Sequence, residues 1–200
     1  MKSKITILIL FCINSIFAQY PVLSTSSLVV DPTNDINFSK KGNYARDFTN
    51  QRDQYVGLWR YEQNGILFEL KIEKRDKMIN KIEYQGQVSY NFMDRVILKY
   101  KLIKNGTLLY DNLATNPSDD YLSIGSKYGV YNFLSGGFLD TTRNVCGTYS
   151  LKIIGTNPDT IFFNLSPGGY YLLNPRSYYE GSDENLFNVP TGGIEMVRVN

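Results

Sequence analysis

The stretch Asn64-Gly65-Ile66-Leu67-Phe68-Glu69-Leu70-Lys71-Ile72-Glu73 decides the fold class. Ile66, Phe68, Leu70 and Ile72 alternate with Leu67, Glu69, Lys71 and Glu73, the period of a strand with one face in a core and one in water. Asn64-Gly65 supplies the positive φ angles of a two-residue hairpin turn, so this strand is expected to pair back onto residues 56–62. Downstream, 81–92 reads as one strand and 96–104 as another, with Leu98, Tyr100 and Leu102 alternating with Lys99, Lys101 and Ile103. Asn105-Gly106 is a second hairpin turn, into 107–111. Beyond Asn116-Pro117-Ser118-Asp119-Asp120, shorter strands are expected over 121–124, 130–134, 147–154, 160–165, 169–173 and 194–199.

No segment has the 3.6-residue period of a long helix. Many short strands joined by tight turns predict an all-β fold, an antiparallel meander β-barrel rather than alternating βα units. The 16 tyrosines and 11 phenylalanines suit strand positions and a well-filled interior. Residues 19–54, with Pro21, Pro32 and Ser24-Thr25-Ser26-Ser27, read as an extended N-terminal lead-in. Within it a short helix is expected over 44–54, where Asp47 offers capping chemistry.

At the start of the chain, Lys2 and Lys4 precede an apolar run from Ile5 to Phe17 that ends at Ala18. This is the pattern of a secretory signal peptide over residues 1–18, too short for a membrane span, and it predicts a secreted or periplasmic protein without membrane insertion. Cleavage removes Lys2, Lys4 and no acid, leaving 19 basic against 19 acidic side chains. That balance lacks the basic footprint of a nucleic-acid binder. Cys12 leaves with the leader, so Cys146 remains alone and no intramolecular disulfide forms in the mature chain.

The chain contains no histidine, which removes imidazole bases, imidazole metal ligands and His-centred triads. Cys146 has no such activating partner and reads as a small buried residue. A carboxylate pair for glycoside hydrolysis would have to come from Glu62, Glu69, Glu73, Glu83, Asp94, Asp119, Asp120, Glu180 and Glu195. Glu69 and Glu73 are expected on the wet face of their strand. Asp119-Asp120 lacks the alternating oxygens and the glycine of a calcium loop and reads as a turn. Neither a metal nor a cofactor is expected, and the protein reads as non-enzymatic. The long loop over 174–189 carries Tyr178 and Tyr179, with Tyr170 and Tyr171 just before it, residues suited to stacking on a glycan or touching a partner.

The segment Tyr55-Val56-Gly57-Leu58-Trp59-Arg60-Tyr61 resembles the first strand of lipocalin-like (calycin) barrels, which opens on Gly-x-Trp. The chain also resembles a family of secreted bacterial proteins of unknown function. The lipocalin resemblance covers residues 55–200 and implies that Trp59 plugs one end of a barrel. An arginine from the last strand then packs over the tryptophan, and Arg198 matches that position. The chain departs from the pattern in lacking a C-terminal helix and a disulfide. The reading that follows is a secreted, non-enzymatic monomer that holds a small apolar molecule in the barrel or presents its loops to a partner. The alternative is an envelope carbohydrate-binding or protein-interaction module that uses the 174–189 loop.

Overall fold

A computed structural model of the chain describes residues 20–28, 40–115, 123–128, 133–156, 159–166 and 186–199. Among these the fold is all-β. In chain order the strands are β1 (Ser24–Ser27), β2 (Asn43–Arg46), β3 (Gly57–Gln63), β4 (Ile66–Tyr84), β5 (Gln87–Lys104) and β6 (Thr107–Asp111). They continue with β7 (Ser123–Tyr128), β8 (Phe133–Asp140), β9 (Val145–Thr156), β10 (Asp159–Ser166) and β11 (Ile194–Val199). One three-residue 3₁₀ turn, Asp53–Tyr55, precedes β3.

The first hairpin forms as its spacing predicts, with Gln63 opposite Ile66 and Trp59 opposite Leu70. Phe68, Leu70 and Ile72 are buried in the core, as are Leu98, Tyr100 and Leu102 across from them on β5. The Asn105-Gly106 turn likewise delivers β6 onto β5, with Lys104 opposite Thr107.

The expected strand over 81–92 is instead the tip of a long hairpin. β4 continues to Tyr84, turns at Gln85 (φ 49°) and Gly86 (φ 74°), and returns as β5. Two successive positive φ angles are what a two-residue turn requires, and Gln-Gly provides them without the Asn or Asp that marks the other two turns. A bulge interrupts this hairpin between Arg75 and Met78, where Lys77 has φ 53°. Bulges bend a ladder and sharpen its twist. Here the bulge separates a proximal half in the main sheet from a distal half formed by 78–84 and 87–93.

The sheet is mixed rather than purely antiparallel. The lead-in does not form the short helix expected over 44–54: Asn43–Arg46 is strand, and only Asp53–Tyr55 turns. β1 pairs in parallel with β2, and β2 in parallel with β5 through Tyr44 opposite Phe92 and Ala45 opposite Met93. Tertiary pairing outweighs local helix signals here, because the free edge of β5 accepts a strand.

Neighbouring strands run β1-β2-β5-β4-β3-β11-β10-β9-β8-β7, with β6 also beside β5. β7 pairs once more with β5, setting Val96, Ile97 and Leu98 opposite Gly125, Ile124 and Ser123. β7 and β8 lie later than the spacing predicts, at 123–128 and 133–140 instead of 121–124 and 130–134. β11 occupies the expected 194–199. The expected strand over 169–173 lies outside the described residues, as do residues 1–18. No helix among the described residues is long and apolar enough to cross a membrane.

Candidate functional site

The core collects inward-facing side chains from both halves of the sheet. Phe68 of β4 meets Phe163 of β10 at 5.5 Å between ring centroids, and Tyr100 of β5 meets Phe138 of β8 at 5.3 Å. Phe138 and Phe163 complete the contact edge-to-face at 5.9 Å. Rings from β4, β5, β8 and β10 thus meet at the centre, in the tilted and edge-on geometries aromatic quadrupoles favour.

Gly57, Trp59 and Arg198 come together at one end of this core. Trp59 is fully buried, and its Nε1 donates to the Tyr55 carbonyl at 2.8 Å. Arg198 lies directly opposite Trp59 in the β11–β3 ladder and holds its guanidinium 4.1 Å from the ring centroid. The guanidinium also donates to the Gln54 carbonyl (2.8 Å), to the Val56 carbonyl and to Asp159 Oδ2 (2.7 Å). Gly57 has φ +135°, and a Cβ there would stand 2.6 Å from Arg198 Nη1. The glycine is therefore needed twice, for its backbone angle and for the space the arginine occupies.

The carboxylates have structural partners. Glu69, expected in water, is buried and accepts from Arg60 Nη2 at 2.6 Å, because the outer face of β4 carries a cross-strand charge ladder. Burial opposes ionisation of Glu73, but Lys99 and Lys71, each 2.9 Å away, prevail and hold its carboxyl below the usual range. Asp94 accepts from the Tyr44 hydroxyl (2.6 Å) and from the main-chain N–H groups of Asp47 (2.8 Å) and Lys77 (3.0 Å). Glu62, Glu83 and Glu195 lie on exposed strand surface, and Asp119, Asp120 and Glu180 lie outside the described residues. Among the described residues no group of three or more Cys, Asp or Glu is placed to hold a metal ion. Burial pushes the Cys146 thiol up from its ordinary pKa, the direction opposite to that of an activated nucleophile.

Two buried polar clusters escaped the sequence reading. In the first, Arg52 donates through Nε to Asp47 (3.0 Å), through Nη2 to Asp76 (2.8 Å) and through Nη1 to the Arg95 carbonyl (2.9 Å), with Asp94 3.4 Å from Nη2. It clamps the lead-in onto the bulge of β4 and onto β5. In the second, Asp140 is fully buried and accepts from Thr142 Oγ1 (2.6 Å) and from the main-chain N–H groups of Thr142 (3.0 Å), Asn188 (2.7 Å) and Val189 (3.2 Å). The available signal was Asp140-Thr141-Thr142, an Asx-turn pattern, but nothing local ties it to residue 188. Asp140 thus anchors the C-terminal end of the 174–189 loop, where Leu186, Phe187 and Val189 enter the core. Tyr170, Tyr171, Tyr178 and Tyr179 lie outside the described residues.

Two phenols, Tyr44 and Tyr55, are held above their ordinary pKa. Burial, then the hydrogen bond to Asp94 and its charge, pushes Tyr44 up from 10.0 to about 12. Burial alone pushes Tyr55 to about 12. Raised folded-state pKa values mean that the unfolded chain releases these protons first. The associated stability is complete below pH 10 and disappears as pH rises through the window from 10 to about 12. A chemical-denaturation series should show a falling midpoint across that window, with Tyr44→Phe flattening part of the slope. A midpoint unchanged up to pH 12 would contradict the prediction.

A profile described as a family of unknown function, DUF6705, matches residues 1–197. The chain belongs to this family. No curated protein and no solved structure matches the DUF6705 chain. Among the described residues, the distal half of the β4–β5 hairpin carries exposed apolar side chains. There Ile82 is 61% exposed and Tyr84 71%, beside a shallow surface pocket lined by Lys41, Ile82, Tyr84, Gln87, Val88 and Ser89.

Proposed function

We propose that this protein is a secreted, non-enzymatic, lipocalin-like β-barrel that acts through its surface rather than by carrying a ligand inside. Support for the barrel comes from the β5–β7 ladder, which joins the two ends of the meander β5-β4-β3-β11-β10-β9-β8-β7. Support for Gly57, Trp59 and Arg198 as its closing group comes from the stacked guanidinium and the glycine contact.

The observation that carries the functional reading is the meeting of Phe68, Tyr100, Phe138 and Phe163 at the centre. Small barrels can be filled by their own side chains, and rings in mutual contact leave a guest no place among them. The contact surface in this reading is the 174–189 loop, with Tyr178 and Tyr179 against a glycan or protein and with Asp140 holding the loop's end. Native and denaturing mass spectra of protein secreted by its own host test the proposal. The expected result is one apo mass under both conditions. A non-covalent mass excess that disappears on denaturation would establish a carried ligand and overturn it. Glycan-array or partner binding that survives Tyr178→Ala with Tyr179→Ala would remove the loop from the reading.

A further inference from the structure

From Glu73 onward β4 has β5 on one side only, because β3 ends its pairing with Gly57 opposite Ile72. Residues as far as Lys77 are occupied by the Arg52 cluster and by Asp94. Met78 to Tyr84 therefore form an edge with no strand on its outer side among the described residues. An edge of this length, with exposed Ile79, Ile82 and Tyr84, is a template for another strand.

Its main-chain geometry narrows the choice of partner. The hairpin closes on Tyr84 opposite Gln87 around a two-residue turn, and such a closing pair is hydrogen-bonded. Alternation then directs the N–H and C=O groups of Tyr84, Ile82 and Asn80 towards β5, and those of Glu83, Lys81 and Ile79 outward. An antiparallel partner must match residues that point outward.

We propose that this edge pairs with the same edge of a second copy of this chain, antiparallel and two-fold about Ile82, giving a dimer in place of the monomer expected from sequence. In that register Lys81 faces Glu83 of the second copy, and Glu83 faces its Lys81, at the positions whose main-chain groups point outward. Ile82 meets Ile82 on the opposite face, and Tyr84 meets Asn80. Shifting the register by two residues sets Lys81 against Lys81 or Glu83 against Glu83, and like charges directly opposite are destabilising. The edge is thus charge-complementary to itself in one register. This inference does not depend on the filled core or on the 174–189 loop.

Analytical ultracentrifugation of protein expressed from the full chain, over a concentration series, tests it. The wild type is expected to dimerise. Lys81→Glu and Glu83→Lys each place like charges opposite one another twice and should weaken dimerisation by about tenfold or more. Mixing the two variants restores both opposite-charge pairs and should return a heterodimer. Lys81→Pro removes an outward N–H, a change an edge strand tolerates, and should give a folded monomer with an unchanged circular dichroism spectrum. A wild type that stays monomeric throughout would overturn the proposal. So would a dimer indifferent to both charge variants, which would locate association elsewhere, or a mixture that fails to associate.

Discussion

Arg52→Met is expected to destabilise the protein by about 3–5 kcal/mol, the range for removing one partner from a buried ion pair. Arg52, Asp47 and Asp94 are all buried, so the substitution leaves two carboxylates out of water without their cation. Burial opposes ionisation of Asp47, but the hydrogen bonds from Arg52 and from the N–H groups of Gln51 and Arg52 outweigh it and hold its pKa below the ordinary value. A lowered folded-state pKa contributes stability that is present above the ordinary value of 3.8 and is lost as pH falls through the folded value. Removing the guanidinium should therefore also flatten the acid limb of the stability profile. Urea titrations at neutral pH and near pH 3 measure both effects. Adding Asp47→Asn and Asp94→Asn to Arg52→Met should recover part of the loss, because the stranded charges are then gone. A single-variant loss below about 1 kcal/mol would mean that water or other groups compensate these carboxylates.

Trp59→Ala is expected to lose a further 3–5 kcal/mol or thereabouts, since it empties a fully buried site and leaves a cavity that the surrounding strands can only partly close. Arg198 would lose the ring on which it stacks while keeping its bonds to Asp159 and to the carbonyls of Gln54 and Val56. Trp59→Phe keeps an aromatic face for the guanidinium and more of the buried volume, and should lose markedly less. Urea unfolding followed by far-ultraviolet circular dichroism measures both variants without depending on tryptophan emission. Alanine and phenylalanine variants of equal stability would contradict this ordering.

These two sites differ in how far the sequence announced them. Trp59 was visible through Gly57-x-Trp59 and the position of Arg198, although only the folded chain sets the guanidinium 4.1 Å from the ring. Arg52 was not visible at all. It lies in a polar segment read as an extended lead-in with a short helix, and its partners Asp76 and Asp94 are 24 and 42 residues away in sequence. Local capping signals around Asp47 were real, because its carboxylate does accept from the Gln51 and Arg52 N–H groups. They mark a turn rather than a helix because residues 43–46 are drawn into strand by β1 and β5.

The amino-acid sequence by itself determined the all-β class, the strands β3 and β11 and the two Asn-Gly hairpins. Each depends on a period of two or on the φ angles of adjacent residues, which are local properties of the chain. The Gln85-Gly86 turn lay at the limit of that reading, since only the glycine signalled it. Tertiary structure alone decided that the lead-in adds parallel strands, that Glu69 is buried, that Asp140 anchors residues 188 and 189, and that four aromatic rings meet in the core. Those outcomes join groups far apart in sequence, and their free energy comes from burial and pairing that exist only once the strands are side by side.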